Sequence, residues 1–131
     1  MEKPDILTID NRLLSDLHLK ALSNVRKRQH FDLRTTHEDK SQRMLNVLEV
    51  DTKVPIHQHT DTSESIICLE GKIDCVVYEE SSGYFKEIAR YCICPREKLY
   101  GIQIPSMVWH SVEVYEPSTI FESKDGAYMG G

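Results

Sequence analysis

A chain of 131 residues with 40% hydrophobic content has bulk for one core, and a second domain is not expected. Its formal net charge of -5 argues against a sequence-independent grip on nucleic acid phosphates. No apolar run approaches the ~20 residues that span a bilayer, and Met1-Glu2-Lys3-Pro4-Asp5 is unlike a signal peptide, so a cytoplasmic protein without membrane attachment is expected.

Leu14, Leu17, Ala21 and Val25 recur at helical spacing, which predicts an amphipathic helix over roughly residues 12 to 28. Asp10 or Ser15 is available as its N-cap, and Arg26-Lys27-Arg28 suit the negative end of its dipole. Gln29 to Gln42 is polar and charged, and reads as a connector with at most one short strand, able to lie across a barrel mouth. Residues 1–40 are thus expected to be a helix and connecting segment packed on a body formed by 41–125, with 126–131 as a tail.

From Met44 the pattern changes to short β-type runs broken by turn residues. Met44 to Val50 is apolar on both alternations, as a strand buried on both faces would be. Ser65 to Glu70, Lys72 to Tyr78, Tyr84 to Cys94, Leu99 to Ile104, Trp109 to Tyr115 and Thr119 to Ser123 are the further predicted strands, with Ser81-Ser82-Gly83 as a hairpin turn. Many short antiparallel strands with Gly/Pro punctuation imply an all-β sandwich or barrel, and a jelly roll closes one economically at this length. Cys68, Cys75, Cys92 and Cys94 lie in apolar, strand-like runs and are read as buried thiols. Cys92-Ile93-Cys94 has no second pair at zinc-ribbon spacing.

The chemistry is concentrated in His57-Gln58-His59, Glu64 and His110. Side chains two apart on a strand project to the same face, and Val54-Pro55-Ile56 before His57 favours extended backbone, so His57 and His59 can close on one cation. Glu64, at the entry to the next strand, and His110, after Pro105, complete a three-imidazole, one-carboxylate set. Such donors suit one divalent transition ion, Zn, Fe, Mn, Ni or Cu, better than calcium. Four protein ligands leave one or two positions open on a five- or six-coordinate ion and none on a tetrahedral one, the difference between an enzyme and a structural metal. Arg43 is a candidate for binding a phosphate or carboxylate group of a substrate. Arg26-Lys27-Arg28 with His30 and Arg34 could contact an anionic sugar nucleotide or form a solvated helix end. Glu49, Asp51 and Glu70 offer acid/base groups if the fold places them in the cavity, and Trp109 is expected to pack on the face opposite His110. His18 and His37 have no spacing partner and read as surface histidines. No Ser-His-Asp order, phosphate-binding loop or dinucleotide fingerprint is present.

These residues resemble the cupin superfamily. His57, His59, Glu64 and Gly71 match its first motif in identity and spacing, and Pro105 and His110 match the core of its second. Asp51, Leu99 and Met107 stand where those motifs carry glycines, and Val114 where the second carries asparagine. A closer resemblance, to the WbuC family of cupin-fold metalloproteins, rests on Gln42 to Glu49, Pro55 to His59, Ser63-Glu64, Leu69-Glu70-Gly71, Ile104-Pro105 through Trp109-His110, Glu116-Pro117 and Phe121 to Tyr128. It implies a cupin jelly-roll β-barrel with an N-terminal α-helix, a metal held by His57, His59, Glu64 and His110, and a small, sugar-derived ligand in bacterial surface-polysaccharide (O-antigen) metabolism. It leaves a sugar-nucleotide isomerase or epimerase, a non-catalytic sugar-binding or regulatory cupin, and an oxygenase as alternative activities. A homodimer is expected, because cupins commonly pair through sheet edges and such a sandwich has edges to protect.

Overall fold

The computed structural model describes residues 5–126, so all but the first residue of the tail expected over 126–131 lies outside the described residues. Asp10 caps α1 (Asn11–Ser23), its carboxylate accepting from the Leu13 amide at 3.0 Å. The helix stops short of the expected residue 28: Asn24 closes it and Val25 is 96% exposed. The cause is downstream. Lys27 at φ 57 turns the chain into β1 (Arg28–Asp32), which satisfies its backbone groups by pairing along its own length with Met44 to Leu48 of β2 (Ser41–Leu48). Of the three basic residues, Lys27 serves the helix end, donating from Nζ to the Leu22 carbonyl at 3.0 Å.

The buried stripe of α1, Leu17 and Ala21, lies on Leu45 and Val47 of β2, with Leu13, Leu14, Phe31, Leu33 and Phe121 around it. The other face of β2 turns into the barrel, where Leu48 joins Ile66, Cys68, Ile73, Cys75, Ile93, Ile104, Val112, Val114 and Ile120. β2 is therefore buried on both faces, as its doubly apolar alternation implies.

The remaining strands are β3 (Lys53–His57), β4 (Glu64–Ser81), β5 (Tyr84–Ile93), β6 (Gly101–Ile104) and β7 (Trp109–Asp125), with a 3-10 turn at Pro95–Glu97 before β6. All pairings are antiparallel, in the order β1-β2-β7-β4-β5, with β3 added on β7 and β6 on β4. This is the cupin jelly roll. Ser82 and Gly83, both at positive φ, make the tight β4–β5 turn.

Four strands expected separately are in fact two. Ser65 to Glu70 and Lys72 to Tyr78 run on as β4, and Trp109 to Tyr115 and Thr119 to Ser123 as β7. Gly71, at φ 101, and Pro117 fall where the β4–β7 register shifts, so they bend the ladder without ending it. Each long strand thereby contributes to both walls of the barrel.

His18 is not the surface histidine that its lack of spacing partners suggests. Its Nδ1 lies 2.9 Å from Glu49 Oε1 and its Nε2 3.2 Å from Thr119 Oγ1, which ties α1 to the barrel through partners remote in sequence. Cys92 likewise departs from expectation: Cys68, Cys75 and Cys94 are buried, and Cys92 is exposed. Burial pushes the Cys68 and Cys75 thiols up to about 11, which keeps them protonated and inert near neutrality.

Candidate metal centre

The pairing of β3 with β7 sets His57 opposite His110, and their rings stand 4.2 Å apart. β4 begins at Glu64, and His59 follows β3 in a loop whose carbonyl accepts from the Met107 amide at 2.7 Å. One ligand atom from each of His57, His59, Glu64 and His110 lies within 4.8 Å of the others, a cluster that could hold a metal ion.

Backbone contacts orient two of the rings. His57 Nδ1 donates to the Pro55 carbonyl at 2.8 Å and His110 Nδ1 to the Val108 carbonyl at 2.9 Å, which leaves each Nε2 as the lone-pair nitrogen. His59 Nε2 and His110 Nε2 are buried without a hydrogen-bond partner, 3.6 and 3.4 Å from the two oxygens of Glu64. Orphaned imidazole nitrogens around a carboxylate are costly unless a cation fills the space between them, and the donor set fits a transition ion. Burial opposes ionisation of Glu64, but His110 and His59 outweigh it and hold the carboxyl at about 2, so it is a carboxylate throughout the physiological range. Burial lowers His57, with His110 and His59 adding to the effect. Burial also opposes the charge on His110, but Glu64 and the Val108 carbonyl prevail and raise it.

Met107 stands where the second cupin motif has a glycine, and its φ is 69, the left-handed backbone that glycine would supply. The turn geometry therefore survives the substitution at a cost in strain, and the Met107 amide still pins the loop to His59. Met107 is 59% exposed, so Met107→Gly loses little packing and should raise stability by about 1 kcal/mol in urea unfolding.

His59 differs from the other two histidines. Its Nδ1 lies 3.3 Å from the Lys124 ammonium, so it is placed to accept there, whereas ligation through Nε2 requires a proton on Nδ1. An ion ligated by His59 Nε2 would displace Lys124 from this contact. Lys124→Met should therefore tighten metal binding by roughly tenfold, measured by competition with a chelator.

The cluster opens into a cavity of about 460 Å³. Inward positions of β7 are even-numbered, and His110, Val112, Ile120, Glu122 and Lys124 all line it. Gln42, Met44, Asn46 and Leu48 of β2 form the facing row, with Arg26, Arg28 and His30 also on the lining. Glu122, Lys124 and Asn46 were not singled out from the sequence, although polar residues on the core-facing alternation of β2 and β7 are the signal that marks them. Glu122 is pushed up to about 7 by burial and by Glu64, against the Lys124 charge and a hydrogen bond from Asn46. Arg43 is not among the lining residues. It points away from Gln42 and Met44, and its guanidinium donates to Asp39 Oδ2 at 3.1 Å and to the Ser41 carbonyl. Glu49 and Glu70 sit with His18 on the helix side, and Asp51 is exposed, so none of the three faces the cavity. Trp109 packs on Phe85 with ring centroids 5.0 Å apart, off the cavity.

The fold is that of the cupins. Solved structures of low sequence identity share the fold. The cupin domain of Schizosaccharomyces pombe Cnp3 aligns with TM-score 0.60 at 13% identity, over 76% of this chain and 65% of that one. The capsular polysaccharide assembling protein CapF from Staphylococcus aureus aligns with TM-score 0.62 at 18% identity, over 80% of this chain and 28% of that one. The conserved SPY1581 protein of unknown function from Streptococcus pyogenes aligns with TM-score 0.60 at 10% identity, over 98% of this chain and 92% of that one. This chain thus spans just under two thirds of the Cnp3 domain and less than a third of CapF. The chain belongs to the family described as a domain of unknown function (DUF6016), whose model matches residues 9–89. That match takes in α1, His57, His59 and Glu64 and ends before His110. No curated protein matches the sequence.

Proposed function

We propose that this chain is a cupin metalloprotein that binds one divalent transition ion through His57, His59, Glu64 and His110, and binds or acts on a small carbohydrate-type ligand at that ion. The observation that carries the reading is the convergence of three imidazoles and a carboxylate, two of their nitrogens orphaned, on the lining of a roomy cavity. Metal analysis of protein purified without an affinity tag should find close to one equivalent of Zn, Fe, Mn or Ni. Less than roughly a tenth of an equivalent, unrestored by soaking, overturns the reading.

The carbohydrate half is supported by the WbuC-like residues and by the likeness in fold to a capsular polysaccharide assembling protein. Under this proposal the chain would act in bacterial surface-polysaccharide metabolism in the cytoplasm. No helix of the described residues is long and apolar enough to cross a membrane. Arg43, held by Asp39, would reach an anionic group only from outside the cavity.

A second reading, a sugar-nucleotide isomerase or epimerase, is favoured by Glu122. A half-buried carboxyl held near 7 on the same cavity wall can take or return a proton near neutrality. Exchange of a sugar C–H proton in deuterated water, lost in Glu122→Gln, is the expected signature. Absence of exchange across a broad nucleotide-sugar panel overturns it and leaves a sugar-binding or regulatory cupin.

We further propose a homodimer. β5 ends the strand order and carries Tyr84, Phe85, Ile88 and Tyr91 in exposed positions, an apolar edge that pairing would cover. Light scattering should give twice the 15.2 kDa of one chain.

A further inference from the structure

The wall of the cavity made by β2 and β7 is polar in a way that neither the fold nor the metal cluster requires. Gln42 pairs in register with Lys124, and Lys124 with Glu64, so an amide, an ammonium and a candidate ligand form one row across three strands. In the next inward row Glu122 stands between Met44 and Ile66. Gln42 is 5% exposed, and its Oε1 is buried with no hydrogen-bond partner, as is Asn46 Oδ1 one pleat beyond Met44. An unmet buried acceptor destabilises the wall, and a hydroxyl or N–H donor from a ligand would relieve it.

The charge of the cavity runs against that of the chain. Overall the protein is acidic, at -5. Yet Arg26, Arg28 and Lys124 line the cavity against the two carboxylates Glu64 and Glu122, and a divalent ion in the cluster leaves it net positive. Among the described residues the Lys124 ammonium meets an imidazole nitrogen, His59 Nδ1 at 3.3 Å, rather than a carboxylate. A partly buried cation beside a metal centre is relieved by an anion, and one supplied by a ligand would also draw Lys124 off His59 and free that ring for the metal.

We propose that this wall selects an anionic polyol, a sugar bearing a carboxylate or phosphate, with Lys124 taking the anion and Gln42 and Asn46 accepting from its hydroxyls. Arg28, on β1 at the same lining, adds long-range attraction. The assignment rests on the reading of the cavity as a carbohydrate site and deepens it by naming the charge of the ligand. It also makes anion and metal binding mutually reinforcing, since each favours Lys124 away from His59.

Calorimetric titration of glucose, glucuronate, glucose 6-phosphate and inorganic phosphate into the Co(II)-loaded and the metal-stripped full chain tests it. Both anionic sugars should bind at least about tenfold more tightly than glucose, the worth of one charge-assisted hydrogen bond. Their relative affinities distinguish a carboxylate from a phosphate ligand. Lys124→Met should bring the anionic sugars down to the affinity of glucose while tightening Co(II). Gln42→Leu should weaken all three sugars, and Arg28→Gln, at a strand outside the barrel core, should weaken the anionic ones alone. Glucose binding as tightly as its anionic derivatives, inorganic phosphate binding as tightly as glucose 6-phosphate, or a preference that survives in both cation variants overturns the proposal. So does Co(II) loading at one equivalent with no sugar bound, an outcome that leaves the metal centre standing. Anion preference in protein that takes up no metal supports the proposal and overturns the metal reading instead.

Discussion

Glu64→Gln and His110→Ala should each abolish stoichiometric metal binding, with affinity for Co(II) or Zn(II) falling by at least ~100-fold, since outer-shell changes alone cost up to that much. Glu64 supplies the only negative charge among the four donors, and both its oxygens face ring nitrogens of the cluster. Glutamine keeps the shape and removes that charge. His110 is 1% exposed, with its Nδ1 held by the Val108 carbonyl, so no solvent molecule replaces the ring without rearrangement. Elemental analysis and chelator competition measure the loss, and circular dichroism separates it from unfolding. Retention of a full equivalent in both variants would place the ion elsewhere.

The same donors set the pH dependence. Protons compete with the metal only at the imidazoles, because Glu64, at about 2, stays ionised. His110, raised, holds its proton to higher pH than His57, lowered, so release should begin at His110 as pH falls through its range and be complete once His57 is also protonated. Affinity should therefore fall steadily on acidification from about pH 7 to 5, the window of histidine titration. A chelator titration across that window checks it, and a flat profile down to pH 5 would contradict imidazole ligation.

The largest expected effect on folding comes from Gly71→Ala. Gly71 sits at φ 101, and a Cβ there would stand 2.6 Å from both Cα and Cβ of Ser118, with Ser118 Oγ also in its path. The obstacle is backbone on the neighbouring strand, which cannot swing aside as a side-chain tip would. Left-handed strain and overpacking together should cost at least about 3 kcal/mol in urea unfolding. Because Gly71 and Pro117 make the corner shared by β4 and β7, the strands that carry Glu64 and His110, metal affinity should fall with stability. A loss under about 1 kcal/mol would mean that the corner opens freely.

Gly71 also shows why some of the fold is legible in one dimension and some is not. Its motif spacing marks a turn, yet a glycine that ends a strand and one that bends it leave the same trace in the sequence. Only the register of β4 against β7 distinguishes them. The end of α1 has the same origin: the helical spacing of Val25 is real, but backbone pairing of Arg28–Asp32 with β2 takes the chain away first. Met107 runs the other way. Its side chain argues against the turn that its motif position requires, and the His59 carbonyl holds the turn in place regardless.

By itself the sequence determined the all-β class, the N-terminal helix and the four clustered donors. Those depend on alternation, capping and the spacing of histidines, which are properties of neighbouring residues. The tertiary structure alone decided which polar residues share the cavity with the donors. Gln42, Asn46, Glu122 and Lys124 meet there because β2 and β7 pair in one register across a separation of some eighty residues, while Arg43, one residue from Gln42, is turned away by the pleat. That register is set by burial of both faces of β2, under α1 on one side and in the barrel on the other.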